Sequence, residues 1–77
     1  MASNSTVEQL IKRLSWNKSY CIIYEQDGQW TVYWQSGDKT IPSRHVEQPT
    51  LELALTATEE LVRGFYKQKG WEYAANE

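Results

Sequence analysis

The side chains in this chain that could do covalent or acid–base chemistry are few: one cysteine, Cys21, and one histidine, His45. Ser43 and His45 stand two residues apart in a polar stretch. That arrangement is too common to specify a nucleophile and its base, so His45 reads as a solvated loop histidine. Cys21 falls at the end of an alternating segment on the side expected to face the core, where a thiol is buried and inert. One His and one Cys cannot build a standard zinc site, and no set of carboxylates has calcium-loop spacing. The four glycines, at 28, 37, 64 and 70, are too scattered to cradle a phosphate. Glu52, Glu59 and Glu60 read as the solvated face of a helix, with an acidic stripe for a basic partner as the alternative. The expectation is a non-catalytic protein with no metal and no cofactor.

What remains is recognition by rings, since five Tyr, four Trp and one Phe make 13 % of the chain aromatic. They concentrate in residues 20–35, YCIIYEQDGQWTVYWQ, which alternate on either side of Asp27-Gly28. That dipeptide favours a two-residue type I′ turn, because both central positions need positive φ. The turn sets the register. Glu25 then faces Trp30, Ile23 faces Val32 and Cys21 faces Trp34 on one side of the hairpin. Tyr24 faces Thr31, Ile22 faces Tyr33 and Tyr20 faces Gln35 on the other. Both faces look apolar, and the pairing alone does not say which is inside.

The surrounding elements supply that answer. Val7, Leu10, Ile11 and Leu14 recur at i, i+3, i+4, i+7 and predict an amphipathic helix of about three turns. Ser5 and Glu8 have capping-box spacing, so the helix is expected to start at Ser5, with residues 1–4 as a flexible N-terminus. SWNKS is a short linker. After Ser36-Gly37-Asp38, the segment KTIPSRHVEQ predicts a short edge strand, with Pro42 at an edge or bulge because it has no N–H to give the ladder. Pro49-Thr50 opens the longest helix, with Thr50 as N-cap. Leu51, Ala54, Leu55, Thr58, Leu61, Val62 and Phe65 form its apolar stripe, and Gly70 ends it. Residues 71–77 form a tail, in which Trp71 and Tyr73 are either a lid on the core or a docking tag.

The order VEQLIKRL, YCIIYEQDGQWTVYWQ, a short strand and QPTLELALTATEEL resembles the double-stranded-RNA-binding-domain fold. The part from about Tyr20 to Leu61 also resembles HicB-type antitoxin modules, whose YxVxxExDG-like hairpin leads into a Thr-capped PTxxxA helix. The resemblance implies an α+β domain, α-β-β-β-α, with a small antiparallel three-stranded sheet and both helices on one face. It does not carry the RNA site across, because Leu51, Glu52 and Leu53 stand where RNA-binding members place a Lys-Lys-x-Ala-Lys cluster. Helices on one face leave the other open. The aliphatic and tryptophan side, with Cys21, Ile23, Val32 and Trp34, is expected to be covered, and Tyr20, Ile22, Tyr24, Thr31 and Tyr33 to be exposed, where phenol hydroxyls can reach water.

Length and charge limit what such a face would bind. A chain of 77 residues is expected to be one domain, residues 1–77. Its net charge of -2 lacks the basic field of a phosphate binder. A lone cysteine fits a reducing cytoplasm, and no run approaches the roughly 18 apolar residues of a membrane span. The functional expectation is a small cytoplasmic protein-interaction module, an adaptor, inhibitor or antitoxin-like regulator. It would bind a protein partner through Tyr20, Ile22, Tyr24, Thr31 and Tyr33, with Trp71 and Tyr73 as further candidates. The alternative is a weak single-stranded nucleic-acid binder, stacking bases on the tyrosines beside Lys18, Lys39 and Arg44. A homodimer through the patch and an uncovered edge strand stays open as well.

Overall fold

The apolar stripe of Val7, Leu10, Ile11 and Leu14 lies on helix α1, Ala2–Leu14, in a computed structural model that describes residues 2–73, with side chains from Thr6 onward. The helix begins one turn earlier than the expected cap. Ser5 is already helical, so it cannot take the non-helical dihedrals that an N-cap requires. A 3₁₀ turn, Trp16–Lys18, carries the chain over to strand β1, Tyr20–Gln26, followed by β2, Gln29–Gln35, then β3, Arg44–Gln48, and helix α2, Leu51–Lys69. The order is α-β-β-β-α.

Asp27 and Gly28 close the β1–β2 hairpin with φ of 56° and 78°. These positive values are what a type I′ turn needs. They fix the register expected from the sequence: Tyr20 opposite Gln35, Ile22 opposite Tyr33, Tyr24 opposite Thr31, and Cys21, Ile23 and Glu25 opposite Trp34, Val32 and Trp30. The sheet order is β1-β2-β3, antiparallel throughout, with β2 central. Pro42 precedes β3 rather than sitting within it. The stretch before it folds as a turn, in which the Asp38 carboxylate accepts the Thr40 N–H at 2.8 Å and its hydroxyl at 2.6 Å. β3 therefore needs no bulge.

Both helices pack on the side of the sheet that carries Val32 and Trp34, each fully buried. Trp34 is the joint of the structure. Its ring N–H donates to the carbonyl of Leu14 at the end of α1, at 3.1 Å, and its ring stacks on Phe65 of α2, centroids 6.0 Å apart. A buried indole needs such a partner, because an unpaired N–H would forfeit its hydrogen bond to water. Gly37, just after β2, is pressed against the turn after α1. A Cβ there would lie 2.8 Å from the Lys18 Cβ and 2.9 Å from the Asn17 carbonyl oxygen, so only glycine fits without a shift.

Thr50 caps α2 as expected, its hydroxyl oxygen accepting the Leu53 N–H at 3.2 Å. At the other end Gly70, with φ of 73°, completes a Schellman motif: Gly70 N–H bonds the Lys67 carbonyl and Trp71 N–H that of Tyr66. The buried face of α2 is rotated from the stripe read in the sequence. Leu55, Glu59, Val62 and Tyr66 are buried, whereas Leu61 is 41 % exposed. The reason is that α2 must cover α1 as well as the sheet, which turns its Glu59 flank inward. Among the described residues no helix is long and apolar enough to cross a membrane.

Candidate functional site

Strand alternation puts Tyr20, Ile22 and Tyr24 of β1 on the side of the sheet away from the helices. They are 47 %, 51 % and 48 % exposed, three large side chains in a row on one strand. Tyr33 continues the row onto β2 and is half-buried, as its central position dictates. The Tyr20 hydroxyl donates to the Gln35 side-chain oxygen at 3.2 Å across the hairpin. The ring is thereby steadied while its face stays open.

Thr31 departs from the expectation. It lies on the same side but is only 3 % exposed, between Tyr24 of β1 and Glu47 of β3 in the register. A short side chain in the central strand is shaded by longer neighbours, so Thr31 is floor rather than contact surface. Two residues join the face that the sequence reading did not include. His45 pairs with Tyr33 and Glu47 with Thr31, which puts both side chains on the open side and makes His45 a strand residue instead of a loop residue. Starting β3 at Arg44 would have revealed them, since β2 and β3 then pair in simple alternation. Arg44, opposite Trp34, belongs to the covered side, where its guanidinium lies 5.3 Å from the Phe65 ring centroid. The strand positions of the open face thus hold tyrosines, an isoleucine, glutamines, a threonine, His45 and Glu47, with no lysine or arginine.

Trp71 and Tyr73 do not join this face. After Gly70 the chain turns back along α2, and both rings pack edge-on against Tyr66, centroids 5.7 and 5.2 Å away. The Tyr73 hydroxyl donates to Glu59 at 2.9 Å, making it a clasp on the helix side. The rest of the expected tail, residues 74–77, lies outside the described residues.

Glu59 is the charged residue that the sequence reading misplaced. Far from being a solvated face residue, its side chain is 8 % exposed and receives a forked pair of hydrogen bonds from Arg13 of α1, at 2.6 and 3.0 Å. Arg63 stands 3.7 Å away on the next turn. Burial by itself would raise the carboxyl's pKa, but the hydrogen bonds from Arg13 and Tyr73 and the two guanidinium charges outweigh it and hold the group below its ordinary value. The same burial, with the Glu59 charge beside it, raises the Tyr73 phenol. This cluster joins α1, α2 and the tail. The donors Arg13 and Tyr73 both converge on the Glu59 carboxylate, so the cluster reads as a structural tie.

Burial pushes the Cys21 thiol up to about 11, so at neutral pH it holds almost no thiolate, the form that attacks electrophiles or binds metal. Among the described residues no three His, Cys, Asp or Glu side chains converge as metal ligands. A cleft of about 400 Å³ lies between the approach to β3 and the end of α2, lined by Ile41, Pro42, Phe65, Arg44 and Lys69 among others. Both cations are engaged locally, Lys69 donating to Thr40 at 3.2 Å and Arg44 to the Ser43 carbonyl at 3.0 Å. No protein-family model matches the chain, and neither a curated protein nor a solved structure gives a significant match. The geometry of the open face therefore carries the functional reading by itself.

Proposed function

We propose that this chain is a small non-catalytic protein-interaction module that binds a protein partner through the open face of its sheet, with Tyr20, Ile22, Tyr24 and Tyr33 as the contact residues. The observation that carries the reading is the row of Tyr20, Ile22 and Tyr24, each about half exposed on the face opposite both helices. Contiguous apolar surface of this kind is costly to leave in water, and tyrosine is among the residues that interfaces favour. Each ring offers a large contact area with few rotatable bonds to freeze, while its hydroxyl keeps a hydrogen bond in either state. Thr31 supports the rings from beneath, and His45 and Glu47 give the face a polar rim.

A protein partner fits the face better than a nucleic acid does. Stacking on single-stranded bases works together with a basic groove that tracks the phosphates. Here Glu47 is the charged neighbour and Arg44 is turned to the covered side. The role is that of an adaptor, inhibitor or antitoxin-like regulator, acting by binding alone, and a reducing cytoplasm suits its single, unpaired thiol. The test is affinity capture from native extract with wild type beside a Tyr24→Ala, Tyr33→Ala double variant shown to be folded. Loss of specific proteins from the variant supports the reading. Equal capture of the same proteins overturns it, and loss of nucleic acid alone, with steep salt dependence, transfers the face to the other class of ligand.

A further inference from the structure

The two outer edges of the sheet are guarded very differently. β3 is five residues long, carries Arg44, His45 and Glu47, and lies between Pro42 and Pro49. Shortness, charge and proline are the ordinary means of blocking a sheet edge. β1 is seven residues long, YCIIYEQ, with no proline and a single charge, Glu25. Among the described residues no strand pairs with its outer side. The two-residue turn makes Gln26 and Gln29 a hydrogen-bonded pair, so alternation directs the backbone N–H and C=O of Tyr20, Ile22 and Tyr24 toward β2. Those of Cys21, Ile23 and Glu25 point outward, to the unguarded edge.

We propose that β1 pairs antiparallel with β1 of a second copy of this chain, about a two-fold axis at Ile22, joining two three-stranded sheets into one. The register follows from the side chains. With Ile22 opposite Ile22 of the second copy, Tyr20 meets Tyr24 on the open side and Cys21 meets Ile23 on the covered side. Every position from 20 to 24 then faces an apolar or aromatic partner, which is what cross-strand pairs favour. An axis at Ile23 would instead set Cys21 against Glu25 and Tyr20 against Gln26. Charge agrees with the first register. Lys18 lies just ahead of β1, and Glu25 and Asp27 lie at its far end. An antiparallel pair brings the lysine of each copy toward the acidic end of the other. The outward backbone groups of Cys21 and Ile23 bond each other across the joint, and the two tyrosine rows become one continuous face. The pairing uses the strand edge, so it stands whether or not the face binds a further protein.

Sedimentation equilibrium on the purified chain tests it. The expected result is a dimer that dissociates on dilution. Ile22→Lys, at a position half exposed in the folded chain, sets two like charges opposite each other and weakens association by more than about tenfold. Crosslinking reads the register without depending on that variant's fold. In a Cys21→Ser background, Ile22→Cys joins to its own copy on mild oxidation, because facing residues of a non-hydrogen-bonded pair stand about 4.5 Å apart at Cα, within disulfide range. Tyr24→Cys alone does not crosslink, whereas a mixture of Tyr20→Cys and Tyr24→Cys chains does. A monomer mass persisting to about 1 mM overturns the proposal, as does a dimer that Ile22→Lys leaves intact or that crosslinks in another pattern. Tyr33→Ala, on β2, separates this proposal from the partner-binding reading: it leaves the dimer unchanged while weakening capture through the face.

Discussion

The two faces of the hairpin hold residues of similar size and apolarity, yet one is spent on the fold and the other is left over. On the covered face, Trp34 is fully buried, with its ring N–H on the Leu14 carbonyl and its ring on Phe65. On the open face, Tyr20 and Tyr24 remain about half exposed. The difference lies in what each ring's polar atom can do. One indole N–H is satisfied by one helix-end carbonyl and can then be sealed from water, whereas a phenol hydroxyl both donates and accepts and is better served at a wet surface. Charge divides the same way. Glu59 and Arg13 form their pair on the helix side, while Glu47 stays exposed on the open face.

Breaking the covered face has the largest expected effect. Trp34→Ala removes the ring between α1 and α2 and is expected to cost about 3–5 kcal/mol, enough to unfold most of so small a domain at 25 °C, read by urea denaturation. Next comes the buried ion cluster. Glu59→Gln keeps the shape but loses the charge opposite Arg13, for an expected loss of about 2 kcal/mol at pH 7. Because the folded carboxyl's pKa lies below its ordinary value of 4.5, its contribution is present above that value and is lost as the pH falls through the folded one. The wild type is therefore expected to lose stability on acidification below about pH 4.5, and Glu59→Gln to lack that component, in denaturation curves taken across this range. The smallest effect belongs to the open face. Tyr24→Ala is expected to change stability by less than about 1 kcal/mol, since it removes cross-strand contacts from an exposed edge strand. A cost as large as that of Trp34→Ala would erase the contrast between the faces.

The contrast was readable in the sequence where local rules govern it. Asp27-Gly28 sets the hairpin register outright, and the register sorts Cys21, Ile23, Val32 and Trp34 from Tyr20, Ile22, Tyr24 and Tyr33 before any helix is placed. Thr50 and Gly70 announce the ends of α2 by their chemistry. What was not readable depends on distant partners. Helical periodicity counts Glu59 as polar and so outward, but Arg13, 46 residues earlier, supplies the charge that makes burial favourable. The same packing turns Leu61 outward. Whether Tyr73 was a lid or a docking tag stayed open in the sequence because the residue that holds its hydroxyl is that same Glu59. His45 was missed for a more local reason: Pro42 blurred where β3 begins, and a strand's face is undefined until its first pair is known.

The central claim is that the tyrosine row is the binding surface, and hydroxyl-radical footprinting measures this most directly. The tagged chain is labelled in native extract and, at the same concentration, in buffer. The account predicts that Tyr20, Ile22, Tyr24 and Tyr33 are oxidised less in extract than in buffer, while Trp71, exposed on the helix side, is oxidised equally in both. Equal oxidation of the tyrosine row in the two conditions, or protection confined to the helix side, would contradict it.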